Sequence, residues 1–302
     1  MKIASYQFPV SGDVNKNCAH ILRAIDRAAK GGVRLLVCPE CAVTGYPPRD
    51  VDSSRAIDYE AVEKAHSQIA EAAWCHDIYV LVGTIVKEEC ALWDAPLIGD
   101  APAIEEVFYN TALVFTPGGQ VERYSKRALW GWDKENFSAG EEPGVFNVDG
   151  IRVGIRICFE VRFPEYFREL YHEKTDLNVI LFYDVSDRED PDRYNLIRGH
   201  VRTRAVENVT YTLTSNATFP HQTAPTALYD RSGRNLQNYV FTISTVTVFL
   251  SAFFTVLRLV FSYMSVISKS IYAFINDKNH ISALSAVSAV RSAVRHKQLA
   301  AK

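Results

Sequence analysis

Strand-like and helix-like segments alternate through the first 229 residues of this 302-residue chain. Lys2 to Phe8 has the alternating polarity of a strand, and Asp13 then supplies the N-cap of an amphipathic helix that Gly31-Gly32 closes. Val33 to Cys38 follows as an apolar strand. This β-α-β order predicts an α/β domain in which helices are layered on sheets.

The same alternation continues as far as Tyr229. The turn Thr116-Pro-Gly-Gly119 separates two apolar runs and predicts a hairpin. Further strands are predicted at Ile78 to Gly83, Phe108 to Phe115, Gln120 to Tyr124, Ile151 to Ile157, Leu177 to Tyr183, Thr210 to Ser215 and Thr226 to Tyr229, and further helices at Ile57 to Trp74, Pro164 to His172 and Arg193 to Asn208. No repeat or low-complexity linker interrupts this order before residue 239.

The composition narrows the classes of function. The chain has 33 basic and 35 acidic residues, so its net charge of -2 gives no electrostatic reason to expect a nucleic-acid partner. Its apolar fraction of 48% is enough for a sizeable core and argues against disorder. Six irregularly spaced cysteines suit a reducing compartment, and no apolar signal segment precedes the first strand. We therefore expect a cytoplasmic protein.

The last 63 residues differ from the rest of the chain. Residues 240–302 contain one acidic and seven basic residues, and 19 uncharged residues run from Tyr239 to Leu257. We first interpret Tyr239 to Leu250 as closing strands, followed by a packing or oligomer-interface helix. A second interpretation is a membrane anchor over residues 239–268, although Arg258 inside a span would cost about 2.5–3.5 kcal/mol. A third is a tail that arises from a shifted reading frame.

Three residues that could take part in catalysis each follow a predicted strand. Cys158 follows Ile151 to Ile157 and precedes a helix, where converging backbone N–H groups favour a thiolate, although a lone cysteine is commonly a small buried apolar residue. Glu40 follows an apolar strand, which suits a base in a cleft, and an exposed loop position is the alternative. Lys126 follows the hairpin and could stabilise an oxyanion or be a solvated charge.

Cys38 and Cys41 form an isolated Cys-x-x-Cys pair in the segment that contains Glu40. No second pair or histidine-rich partner accompanies it, so we do not interpret it as a zinc or thiol redox site.

Taken in chain order, Glu40, Lys126 and Cys158 resemble the catalytic set of the nitrilase (carbon-nitrogen hydrolase) superfamily. The matching stretches are Cys-Pro-Glu-Cys-Ala-Val-Thr-Gly-Tyr, Tyr-Ser-Lys-Arg-Ala-Leu-Trp and Arg-Ile-Cys-Phe-Glu-Val-Arg-Phe-Pro-Glu, followed by Arg204-Ala-Val-Glu-Asn208 and Tyr229-Asp-Arg-Ser-Gly233. The resemblance covers residues 1–238 and implies a four-layer α-β-β-α sandwich for this domain, with residues 239–302 as an atypical tail.

The resemblance also implies a mechanism without a metal or organic cofactor. Glu40 would be the base, Cys158 the nucleophile that forms a thioester, and Lys126 with the N–H of Phe159 would hold the oxyanion. Arg127 is a competing assignment for the cation. A second glutamate is assigned to Glu135, with Glu141 and Glu142 as alternatives.

The substrate implied is a small amide, with a nitrile as the alternative, and the protein is expected to form a homo-oligomer. Residues assigned to the substrate wall are Tyr46, Trp130, Trp132, Phe137, Phe159, Arg162, Tyr183 and Asp184, although aromatic residues are also common in ordinary cores. Arg162 and Asp184 together do not select a substrate charge. Two other classes of function are a catalytically silent assembly module and a membrane-embedded N-acyltransferase, which would carry several spans before the domain.

Overall fold

The structure, a computed structural model, describes residues 1–92, 103–239 and 245–249. The strands are β1 (Lys2–Tyr6), β2 (Leu35–Val37), β3 (Tyr79–Leu92), β4 (Ala103–Phe115), β5 (Val121–Ser125), β6 (Val145–Val148), β7 (Ile151–Ile157), β8 (Leu177–Phe182), β9 (Val185–Ser186), β10 (Tyr211–Asn216), β11 (His221–Gln222), β12 (Thr226–Tyr229), β13 (Asn235–Tyr239) and β14 (Thr245–Phe249). The α-helices are α1 (Val14–Lys30), α2 (Tyr59–Cys75), α3 (Asp133–Asn136), α4 (Pro164–His172) and α5 (Pro191–Glu207).

Two six-stranded sheets form the centre of the fold. The first has the order β14-β1-β2-β3-β4-β5, and the second has the order β13-β12-β10-β8-β7-β6. Strands β1, β2 and β3 are parallel, as are β7, β8 and β10, whereas the outer strands of both sheets pair antiparallel. The helices that follow β1, β2, β7 and β8 supply the crossovers that parallel neighbours require.

The sheets pack face to face, and the helices cover their outer faces. Leu35 and Val37 of β2 lie in a buried cluster with Ile155 of β7 and Leu181 of β8, while Leu36 lies in the cluster that contains α1 and α2. Helices α4 and α5 pack on the second sheet through a third cluster of buried residues. Alternation of side chains along each strand therefore separates the two sides of each sheet. The predicted four-layer α-β-β-α sandwich is confirmed.

Most predicted elements are present with shifted ends. Helix α4 begins and ends where predicted, whereas α5 begins at Pro191, two residues early, because the Asp190 side chain accepts a hydrogen bond from the Arg193 N–H. The short elements β6, β9, β11, β13 and α3 were not predicted.

The compact unit that contains both sheets ends at Leu250. Within it, β14 pairs antiparallel with β1, with Lys2 opposite Phe249, so the first sheet continues beyond the boundary placed at residue 238. Residues 250–302, including Arg258, the interface helix and most of the membrane-anchor segment 239–268, lie outside the described residues. Among the described residues, no helix is long and apolar enough to cross a bilayer.

Candidate active site

Residues from both sheets line one cavity of about 460 Å³. Glu40 and Lys126 follow β2 and β5 of the first sheet, and Cys158 follows β7 of the second. All three side chains line this cavity, whose volume is typical of a small-molecule site. Packing of the two sheets therefore brings together the three residues singled out from the sequence.

The loop that carries Glu40 packs directly against the backbone of β3. The Gly83 N–H donates to the Pro39 carbonyl at 3.0 Å. A Cβ on Gly83 would lie 2.4 Å from that oxygen and 2.4 Å from the Cys41 nitrogen, so a glycine is required for this approach. Glu40 is fully buried as a result.

Three N–H groups hold the Glu40 carboxylate. Oε1 accepts hydrogen bonds from Lys126 Nζ at 2.9 Å and from Asn110 Nδ2 at 2.8 Å, and Oε2 accepts one from the Tyr183 N–H at 2.7 Å. Burial raises the pKa of Glu40 above its ordinary value; Lys126 opposes this shift, and repulsion from Asp133 adds to it. A carboxyl group with a raised pKa is better suited to proton transfer near neutral pH.

Lys126 lies between two buried carboxylates. Its Nζ is 2.9 Å from Glu40 Oε1 and 2.8 Å from Asp133 Oδ2, and all three side chains are almost completely buried. Burial alone would lower the pKa of Lys126, but attraction to Glu40, Cys158 and Asp133 outweighs it and raises the pKa well above the usual value. Lys126 is therefore a fixed cation.

Cys158 begins a short 3₁₀ helix, Cys158–Arg162, directly after β7. Its φ of 46° lies in the left-handed region, which is strained for a residue other than glycine. Desolvation raises the pKa of the Cys158 thiol well above the usual value, and repulsion from Glu40 adds to this, while Lys126 partly offsets both. This shift favours the neutral thiol, the form that needs a base for nucleophilic attack.

Glu160 joins the turn that carries Cys158 to the segment that carries Lys126. Its Oε2 accepts the Ile157 N–H at 2.6 Å, and its Oε1 accepts the Tyr124 hydroxyl and the Arg127 N–H, each at 2.7 Å. Glu160 is fully buried. Sequence reasoning missed this role, although Glu160 lies inside the Cys-Phe-Glu-Val-Arg run.

The second carboxylate beside Lys126 is Asp133, not Glu135. Asp133 is fully buried at the start of α3 and accepts a hydrogen bond from the Tyr46 hydroxyl, whereas Glu135 lines a separate cavity of about 410 Å³ beside Arg55. Two residues along a helix face different directions, which separates these side chains. The assignment of Glu135 to the site is corrected accordingly.

The other residues considered for the second glutamate and for the cation also lie outside the cavity. Glu141 is exposed, and Glu142 accepts a hydrogen bond from Arg123 at 2.8 Å. The Arg127 guanidinium pairs with Glu169 and does not line the cavity. Of Lys126 and Arg127, only Lys126 lines the cavity.

Aromatic side chains form one wall of the cavity. Tyr46 stacks on Tyr183 with ring centroids 5.2 Å apart, and both line the cavity with Trp130 and Phe159. Trp130 is 52% exposed, so it lies at the mouth.

Two aromatic residues assigned to this wall lie outside it. Phe137 is buried in the core cluster that contains α1 and α2, and Trp132 is half-buried without lining the cavity. Both assignments to the substrate wall are corrected.

Comparison with known proteins identifies the family. The family model described as carbon-nitrogen hydrolase matches residues 2–242. The chain belongs to the carbon-nitrogen hydrolase family. Among curated relatives, it is 26% identical over 220 residues to 2-oxoglutaramate amidase of Bacillus subtilis, covering 72% of this chain and 76% of that protein. It is 26% identical over 230 residues to omega-amidase NIT2-A of Xenopus laevis, covering 71% of this chain and 74% of that protein.

Other matches cover less of the relative or are more distant. The match to nitrilase homolog 2 of Dictyostelium discoideum is 25% identical and covers 68% of this chain but only 60% of that protein. Among solved structures, an amidase from Nesterenkonia sp. superposes with a TM-score of 0.66 at 23% identity, covering 82% of this chain and 89% of that one. This likeness supports the fold.

Among the residues that the structure describes, the basic side chains that line the cavity of this carbon-nitrogen hydrolase are paired with carboxylates, except that of Arg162. Asp184 is neutralised by Arg193, whose Nε and Nη2 atoms each donate a hydrogen bond to it at 2.8 Å. Arg49, which also lines the cavity, pairs with Asp187. Arg162 lies over the Phe159 ring at 5.3 Å, and no ion pair within the described residues includes it. Sequence reasoning missed Arg49 and Arg193.

The part of the carbon-nitrogen hydrolase that the structure describes contains no cluster of three or more His, Cys, Asp or Glu side chains suited to a metal ion. Cys38 and Cys41 are both free and buried.

Proposed function

We propose that this protein is a cysteine-dependent amidase that hydrolyses small amides through a thioester, with Glu40, Lys126 and Cys158 as catalytic residues. The observation that carries this proposal is the buried contact of 2.9 Å between Glu40 and Lys126 in the cavity that Cys158 lines. A base beside a fixed cation, next to a neutral thiol, is the set that nucleophilic attack on an amide requires.

In the acylation step, Glu40 takes the thiol proton of Cys158 and the sulfur attacks the amide carbon. Lys126 and the N–H of Phe159 stabilise the negative charge that develops on the carbonyl oxygen. The C–N bond breaks, and the leaving ammonia or amine takes the proton from Glu40. The acyl group remains on sulfur as a thioester.

In the deacylation step, Glu40 takes a proton from water as that water attacks the thioester carbon. The C–S bond breaks, the sulfur regains the proton, and the carboxylic acid leaves. Asp133 shares Lys126 with Glu40 at 2.8 Å and keeps the ammonium group in place throughout. One carboxyl group thus serves both steps, because each step begins and ends with Glu40 ionised.

We infer that amides with a second, carboxylate end are preferred substrates. Arg162 is the cation of the cavity that no carboxylate neutralises within the described residues. The names of two relatives, 2-oxoglutaramate amidase and omega-amidase, agree with an acidic amide. Nitrile hydrolysis is the alternative, because a relative from Pyrococcus abyssi is named nitrilase and the same thioester would form.

The test compares succinamate with butyramide, two amides of similar length that differ in the terminal carboxylate. Ammonia release should require Cys158, so Cys158→Ala should be inactive while Cys75→Ala, which changes an exposed cysteine, should match the wild type. Arg162→Met should lower kcat/KM about 10-fold or more for succinamate and little for butyramide. Activity that survives in Cys158→Ala contradicts the mechanism, and an equal effect on both amides contradicts the role of Arg162.

A further inference from the structure

Asn110 is a fully buried amide in β4 that contacts both members of the proposed base and cation pair. Its Nδ2 donates to Glu40 Oε1 at 2.8 Å. Its backbone carbonyl accepts the Lys126 N–H at 2.8 Å. One residue therefore fixes the carboxyl group and the start of the segment that carries the ammonium group.

The orientation of the Asn110 amide is specified by its other neighbour. Cys41 Sγ lies 3.8 Å from Asn110 Oδ1 and is fully buried. Burial raises the pKa of the Cys41 thiol well above its usual value, so the sulfur keeps its proton and can donate weakly to Oδ1. The carbonyl end of the amide thus faces Cys41, and the nitrogen end faces Glu40.

The two oxygens of Glu40 are used unequally. An ionised carboxylate has about four lone-pair positions for hydrogen bonds. Lys126 and Asn110 occupy the two on Oε1, and the Tyr183 N–H occupies one on Oε2. The position that remains is on Oε2.

We propose that Asn110 is a positioning residue which, together with Lys126, occupies Oε1 of Glu40 and makes Oε2 the atom that receives the Cys158 proton. This inference rests on the proposed function above. During acylation the proton moves from sulfur to Oε2 and then to the leaving amine, so the carboxyl group does not need to rotate.

Several ionisable groups face Glu40 and bear on its titration. Lys126 follows β5, Asp133 begins α3, Cys158 follows β7, and Cys41 and Tyr46 lie on the loop of Glu40 itself. Lys126 is the only cation among these five.

Replacing Asn110 by aspartate would keep the shape of the side chain and add a carboxylate, whereas leucine would remove the donor at similar size.

The test measures the alkylation rate of Cys158 by iodoacetamide against pH, followed by peptide mass, in the wild type, Asn110→Asp and Asn110→Leu. This readout does not require a known substrate. In the wild type the alkylation rate should fall at low pH, and Glu40→Gln should abolish this acid limb of the profile. Asn110→Leu should move its midpoint upward by about one to two pH units, because the ionised form of Glu40 loses a donor. Asn110→Asp should move it at least as far, through added repulsion.

Thr84→Val is the matched control. Thr84 lies on β3, next to the strand of Asn110, and the change removes a partly buried hydrogen bond of 3.0 Å to His66 of α2. It should leave the midpoint unchanged. An unmoved midpoint in Asn110→Asp, with a melting transition like that of the wild type, would overturn the role of Asn110 while leaving the proposed function standing. A wild-type profile without a limb that depends on Glu40 would contradict the proposed function and this inference with it.

Discussion

Lys126 shows how a single buried charge can be both structural and functional. Taking an ammonium group out of water is costly unless partners compensate, and Glu40 and Asp133 lie within 2.9 Å and 2.8 Å of it. Removing the cation would leave two buried carboxylates facing each other. Stability and activity at this residue are therefore coupled.

Lys126→Met should lower kcat at least about 100-fold and destabilise the fold by about 3–5 kcal/mol, because it leaves buried carboxylates without a counter-charge. Arg127→Ala removes a partly exposed ion pair with Glu169 and should retain most activity, with a loss of at most about 1 kcal/mol. Ammonia release and urea unfolding measure the two effects. An inactive Arg127→Ala beside an active Lys126→Met would reassign the cation.

Asp133 and Glu135 give a second comparison at this scale. Asp133→Asn should lower kcat about 10-fold or more, because Lys126 loses one of two carboxylate partners, whereas Glu135→Gln should keep wild-type kinetics. Steady-state rates on one amide measure both variants. Loss of activity in Glu135→Gln with a normal Asp133→Asn would return the second carboxylate to Glu135.

At the scale of elements, the site depends on hydrogen bonds between the segments that follow the strands. Glu160 accepts backbone N–H groups from Ile157, before the nucleophile, and from Arg127 and Ala128, after the cation. From α5, the Arg204 side chain donates to the Val161 carbonyl at 2.9 Å. The turn of Cys158 is therefore held from two directions, which can maintain its left-handed backbone.

Glu160→Gln should lower the free energy of unfolding by about 1–3 kcal/mol, because its amide nitrogen would face N–H donors. It should also lower kcat more than it raises KM, since the contacts it alters fix Cys158 and Lys126. Glu165→Gln, on the exposed first turn of α4, is the control and should match the wild type in both measurements. Wild-type kcat in Glu160→Gln would show that the hydrogen bonds of Glu160 are purely structural.

Alternation of strands and helices was sufficient to predict the layered α/β class, because the buried strands and amphipathic helices carry strong patterns. It could not predict α3, whose four residues are too few for a helical period, so Asp133 was overlooked beside Glu135. Asn110 did leave a signal, an amide in the predicted strand Phe108 to Phe115. Its partner Glu40 is 70 positions away in sequence, which no local pattern reveals.

At the scale of the whole molecule, the active-site cavity requires both sheets, and the first sheet includes β14. Strand β14 covers the edge of β1, which otherwise would expose unpaired backbone groups. The sheet therefore extends past residue 238. A cytoplasmic homo-oligomer with residues 239–268 buried against protein stays our prediction, and a membrane anchor or a frame-shifted tail is the alternative.

A chain that ends at residue 238 should aggregate and lose activity, because the edge of β1 is then bare, whereas a chain that ends at residue 250 should keep the fold and the cavity. Sedimentation, cell fractionation and ammonia release compare both with the full chain. Recovery of the full chain in membranes alone, beside a soluble and active chain ending at residue 250, would support the anchor. A soluble, active chain ending at residue 238 would contradict the role of β14.

The most direct test of the central claim is intact-mass detection of an acyl-enzyme during turnover of short amides. The wild type should gain the mass of the acyl group, with loss of ammonia or amine, and peptide mapping should locate it on Cys158. Neither Cys158→Ala nor Glu40→Gln should gain it, since one lacks the nucleophile and the other the base. An adduct on any other cysteine, or amide turnover that persists in Cys158→Ala, would contradict the account.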